Sequence, residues 1–155
     1  MERTVIAGVG IHPFGRFDEN YRELGAHAVR DALADAGVDY NDVDFTFVAN
    51  VGAEMAKGQN VMGLIGASGK PIINVEAACG SSGSGMRLAA ELIESGAADI
   101  VLCAGVEKAA RGYVPSSGYD QWQLKTGLGV NPAYFGIVAQ QLMQQTGVTL
   151  EDLAD

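Results

Sequence analysis

Four short aliphatic runs, separated by stretches of helical or turn-rich sequence, constrain this chain more than any other feature. They occupy residues 4–9, 45–51, 71–76 and 99–105. Each is apolar through most of its length rather than alternating, the pattern of strands buried on both faces. Between the first two runs, Tyr21, Leu24, Ala28, Ala32, Leu33 and Ala36 recur at three- and four-residue steps. That spacing is one face of a helix, with Asp18 or Asn20 placed to cap its start and Gly37 to end it. A short helix of small residues is expected over 60–67. After the third run, Met86, Leu88, Ala89, Leu92 and Ile93 form another helical face that stops at Gly96. Strands alternating with helices in this way predict an α/β fold, βαβαβαβ, with a mostly parallel sheet and helices on both faces.

Composition fits a packed core, with 48% apolar and 19% charged residues. The 21 glycines are spread among apolar segments, so they read as tight turns and close packing rather than as a linker or a collagen repeat. A net charge of −9 gives no electrostatic footprint for nucleic acid or an anionic membrane. No apolar run approaches the ~20 residues of a membrane span, and the first residues lack the layout of a signal peptide. Two cysteines, Cys79 and Cys103, exclude a disulfide scaffold, and with only two histidines a structural zinc site is not expected. The expectation is a cytoplasmic protein of a reducing compartment with no metal.

Residues 110–132 bring Tyr113, Tyr119 and Trp122 together among Gly, Ser and Pro, a segment long enough to act as a lid or binding wall. Helical periodicity returns over 133–145, and residues 149–153 resemble the capped start of a further helix. Two regions follow: an α/β core over 1–109, and over 110–155 the start of a loop or lid region inside which the chain ends.

The junction after the third run carries the candidate chemistry. Cys79 falls where a strand gives way to a helix, and ligands of open α/β sheets bind beyond the carboxyl ends of strands. A thiol at a helix N-terminus meets partial positive charge and free amides, which favour the reactive thiolate. The small residues 80–84 leave room for a carbonyl to approach the sulfur, and the Cys79 N–H is placed to donate to an oxyanion. Taken alone, the same residues also fit a buried filler cysteine and close helix–sheet packing.

The stretch Asn74-Val75-Glu76-Ala77-Ala78-Cys79-Gly80-Ser81-Ser82-Gly83-Ser84-Gly85 resembles the nucleophile segment of thiolases. Val101-Leu102-Cys103-Ala104-Gly105-Val106-Glu107-Lys108 is similar to the family's next strand and its Gly-Val-Glu turn. Upstream, Gly8 to Phe17 resembles the opening strand and loop, and Ala32 to Val38 the close of the first helix. The likeness is to the amino-terminal part of thiolases, nearest the sterol carrier protein X and lipid-transfer type.

The resemblance implies that Cys79 is acylated by an acyl-CoA and that the acyl group then passes to a thiol or a carbanion. It implies no permanently bound cofactor, with coenzyme A entering as substrate. Lys108, Arg111 and Lys125 become candidates for its phosphates, although each also fits a solvated surface charge. It further implies a catalytic histidine and a second cysteine in a carboxyl-terminal half. His12 reads instead as a loop residue, His27 as the partner of Glu23 one helical turn earlier, and Cys103 as core. Three explanations stand: a subunit of a split enzyme, part of a longer chain, or a degenerate relative. Expected partners are acyl-CoA, a second copy paired through residues 71–75, a subunit supplying the missing groups, and a small OB-fold protein. Beside thiolysis or Claisen condensation, two functions stay open: retro-aldol cleavage of sterol-type acyl-CoA, and a non-catalytic lipid-binding or scaffolding role.

Overall fold

The computed structural model describes residues 4–52, 54–109, 112 and 118–154. The chain forms two compact units, Met1–Lys108 and Ala109–Asp155.

The first unit is built on β1 (Phe45–Ala49), flanked in parallel by β2 (Ile72–Val75) and β3 (Val101–Gly105). In this register Phe47 stands between Ile73 and Cys103. Helices α1 (Tyr21–Ala36) and α2 (Lys57–Met62) cover one face, and α3 (Ser81–Glu94) covers the other. Consecutive residues of β1 go to opposite cores, as a pleated strand requires. Val48 packs with Val29, Val61, Met62 and Leu102, whereas Phe45 and Phe47 pack with Val75, Ala89 and Leu92. A parallel α/β sheet with helices on both faces is thus the observed architecture.

The caps of α1 follow from its sequence. Asn20 Oδ1 accepts the Arg22 and Glu23 N–H groups at 2.9 and 3.3 Å, and Glu23 Oε2 accepts the Asn20 N–H at 2.9 Å. This reciprocal box satisfies donors that a helix start otherwise leaves free. Gly37 ends the helix at φ 65°, a conformation that costs a residue with a Cβ. Because Glu23 is used at the cap, His27 pairs with Asp31 instead, Nδ1 to Oδ2 at 3.2 Å. The expected Glu23–His27 pair is therefore corrected.

Three further expectations change. The run at 4–9 is not a strand of the sheet, which has three strands among the described residues. It lies along α1, where Gly8 and Gly10 bring the backbone against Ala28, Ala32 and Ala36 in space that a Cβ would fill. Val9 N–H donates to Asp35 Oδ2 at 2.9 Å, and Val5 and Ile6 remain exposed. Helix α2 starts at Lys57 rather than residue 60, because Ala56 at φ 57° turns the chain there. Cys103 is exposed rather than core, since β3 is an edge strand.

The second unit holds α4 (Gln121–Lys125), inside the stretch expected to be loop, and α5 (Asn131–Thr146). Thr149 and Asp152 close a capped turn after it, Asp152 Oδ2 accepting the Thr149 N–H at 2.8 Å. Among the described residues no helix is long and apolar enough to cross a membrane.

Candidate active site

Cys79 is exposed in a single 3-10 turn, Ala78–Gly80, between the end of β2 and the start of α3. The turn is sharp enough to place Ala78 at φ 49°, where L-residues other than glycine, asparagine and aspartate are uncommon. Such backbone persists only where the surroundings impose it. Here Glu76 Oε1 accepts the Ala78 N–H at 2.7 Å, and Ser81 Oγ accepts the Ala77 N–H at 2.8 Å. The Ser81 hydroxyl also lies 2.7 Å from Ala78 O and 3.2 Å from Asn50 O, and the residue is only 4% exposed. One buried hydroxyl thus fixes the turn that presents the thiol.

Among the described residues no side chain caps α3, whose N-cap is Gly80. Among the described residues, Cβ atoms at Gly80 and Gly83 would meet nothing within 4 Å, whereas one at Gly85 would meet Phe47 at 3.6 Å. The small-residue run therefore serves both purposes: access at its start and helix–sheet packing further on. A cavity of about 310 Å³ opens here, lined by Cys79 and Ser82 of the nucleophile segment, by Asn50 and Val51 after β1, and by Glu107 after β3. It sits beyond Ala49 and Gly105, the carboxyl ends of β1 and β3, where α/β sheets bind ligands.

A chain of amides runs from Asn50, which lines the cavity. Asn50 Nδ2 reaches Asn74 Oδ1 at 3.4 Å, Asn74 Oδ1 accepts the Gly58 N–H at 2.7 Å, and Asn74 Nδ2 donates to Gln59 Oε1 at 2.7 Å. Sequence spacing gave no sign of Asn50, of Lys57 or of the structural role of Ser81. Only Glu107 carried a signal, as the acid of the Gly-Val-Glu turn.

The other candidate residues fall elsewhere. Lys108 Nζ donates to Phe17 O at 3.1 Å and to Glu19 O, in the loop before α1. Lys125 is the exposed last residue of α4, in the second unit, and Arg111 lies outside the described residues. His12 packs edge-on against Phe17 and His27, with ring centroids at 4.5 and 4.8 Å, and does not line the cavity. Cys103 Sγ lies 3.6 Å from Gly85 O, and desolvation there pushes its thiol above the ordinary value although the residue is exposed.

Residues 4–154 match the family model for the thiolase N-terminal domain. The chain belongs to the thiolase family. It is similar to an acetyl-CoA acetyltransferase of Methanocaldococcus jannaschii, 33% identical over 99% of this chain and 42% of that protein. Sterol carrier protein 2 of Bos taurus is 31% identical over 98% of this chain and 31% of its own length. Among solved structures, the Ltp2-ChsH2(DUF35) aldolase superposes with a TM-score of 0.74 at 26% identity, covering 93% of this chain and 38% of that one. This thiolase chain thus spans less than half the length of the relatives it matches. The turn bearing Cys79 lies well inside the segment that matches the thiolase domain.

Proposed function

We propose that this thiolase chain supplies the acyl-accepting residue of an acyl-CoA acyltransferase, with Cys79 as that residue. One observation carries the reading: the thiol is exposed on a strained turn at the start of α3 and opens into a cavity at the carboxyl ends of the strands. Attack of the sulfur on a thioester carbonyl forms a new thioester to Cys79 and releases coenzyme A. A second thiol, or a carbanion, then takes the acyl group and frees the sulfur. The first-turn amides of α3 are oriented to stabilise the negative charge that develops on the carbonyl oxygen.

The thiol proton needs an acceptor, and no histidine lines the cavity among the described residues. The base and the acid for the second half reaction come from elsewhere in the complete enzyme, either a carboxyl-terminal half or a partner subunit. Lys108, Arg111 and Lys125 are the candidates for coenzyme A phosphates, and the stretch 110–132 is the candidate excursion that covers the substrate and contacts coenzyme A. Among the described residues β2 is an edge strand, and Ile73 on it is 46% exposed, which supports pairing of two copies along that strand.

The likeness to an aldolase over 93% of the chain favours one second reading, carbon–carbon cleavage of an acyl-CoA assisted by a small partner protein. Incubating the complete enzyme with acetyl-CoA should leave an acetyl adduct on Cys79, read by peptide mass spectrometry. An enzyme that turns over without any such adduct, and equally well as Cys79→Ser, would exclude the acyl-transfer reading. Cleavage that proceeds at full rate without free coenzyme A would establish the lyase instead.

A further inference from the structure

Lys57 is only 5% exposed, and lysines are almost never buried without a partner. Its Nζ lies 2.8 and 2.9 Å from the two carboxylate oxygens of Glu107, 3.4 Å from Val51 O and 5.6 Å from the centroid of the Tyr21 ring. Glu107 Oε2 also accepts the Val51 N–H at 2.9 Å, and Oε1 accepts the Lys108 N–H at 3.1 Å. A single ion pair therefore ties the segment after β1 to the segment after β3. Val51 and Glu107 themselves line the cavity onto which Cys79 opens.

The backbone is shaped around this contact. Ala56, immediately before Lys57, takes φ 57°, a left-handed conformation that disfavours alanine. Gly52 takes φ 123°, and a Cβ there would stand 3.6 Å from Lys57 Nζ. Both oxygens of Glu107 already face donors, which leaves little capacity to take a proton from the thiol. Desolvation works against its ionised form, yet the bonds from Lys57, Val51 and Lys108 hold the carboxyl below the usual range.

We propose that Lys57 and Glu107 are positioning residues that set the separation of the cavity walls for the acyl group entering at Cys79. The proposal rests on Cys79 being the acyl acceptor. Removing either partner leaves a charge without its counterion, so the segments after β1 and β3 part and the thioester is held further from the sulfur.

The test uses the complete enzyme with K57M, E107Q and the double variant. It reads single-turnover acylation of Cys79 across pH, iodoacetamide labelling of Cys103 and the thermal midpoint. E107Q keeps an acceptor oxygen for Val51, which guards against simple failure to fold. Each single variant should acylate roughly 10–100-fold more slowly, the scale of a misplaced reacting group. The double variant should recover part of that loss because no orphaned charge remains. The pH profile should keep its shape. Parental acylation rates in the folded single variants overturn the proposal. So does an altered pH profile in E107Q, which would make Glu107 a base, or slowing that only tracks unfolding and faster Cys103 labelling. No acyl-Cys79 in the parent removes the underlying reading instead, and the two failures are distinguishable.

Discussion

Ser81 Oγ accepts the Ala77 N–H at 2.8 Å, so the first residue of α3 holds the backbone on the far side of Cys79. The same hydroxyl reaches Asn50 O at 3.2 Å, linking the nucleophile turn to the end of β1. At 4% exposure water cannot replace it without rearrangement.

Ser81→Ala should therefore leave the Ala77 N–H unpaired in a partly buried place. The expected loss is about 1–3 kcal/mol of unfolding free energy, with slower alkylation of Cys79 as the turn loosens. Urea denaturation and timed labelling check it, and an unchanged midpoint would remove this role for the hydroxyl.

Gly58 is required by proximity rather than by φ. A Cβ there would stand 2.8 Å from Val48 Cβ and 2.9 Å from Asn74 Oδ1, and the Gly58 N–H donates to that same oxygen at 2.7 Å. Gly58→Ala should cost about 1–3 kcal/mol through overpacking, against a gain of roughly 1 kcal/mol at most from alanine's helix propensity. A stabilised variant in denaturant titration would contradict this packing.

Acid should weaken the fold through two carboxylates. The Asp99 N–H, with Ile100 N–H and Lys70 behind it, holds Asp44 below the usual carboxylate range. Glu107 is likewise held low despite its desolvation. A depressed folded value means that the unfolded chain binds the proton more readily. The stabilisation is full above the unfolded value and is lost as the pH falls through the folded one. Thermal midpoints followed from pH 7 downwards should drop across the carboxylate range, and Asp44→Asn should flatten part of that slope.

The two exposed cysteines should differ in reactivity. Desolvation against α3 pushes the Cys103 thiol up, so a smaller fraction of it is thiolate near neutrality. Iodoacetamide at pH 7.5 (a chosen condition, roughly one pH unit below the midpoint of a free thiol) should label Cys79 before Cys103. Cys103 labelling should still be climbing where an ordinary thiol has levelled off. Equal rates would weaken the case for a specialised Cys79.

Local spacing was enough for much of this protein. The three- and four-residue steps of α1, the Asn20 and Gly37 caps, the β-branched runs of β1, β2 and β3, and the strand-to-helix junction at Cys79 are all set by neighbours in sequence. Such features depend on backbone preferences and hydrogen bonds that close within a few residues, so they survive without knowledge of the rest. The run at 4–9 shows where that reasoning stops. Its composition suits a strand, but its glycines also let it lie on α1, and that choice is made by packing.

Tertiary structure alone brought Lys57 to Glu107, fifty positions apart, and Ser81 to Asn50, thirty-one apart. It also left Cys103 on an open edge rather than inside. These outcomes follow from strand order and register, which place β1 between β2 and β3 and so decide which loops meet above the sheet. No periodicity records that order, because it is fixed by which apolar faces bury one another once the whole unit has closed.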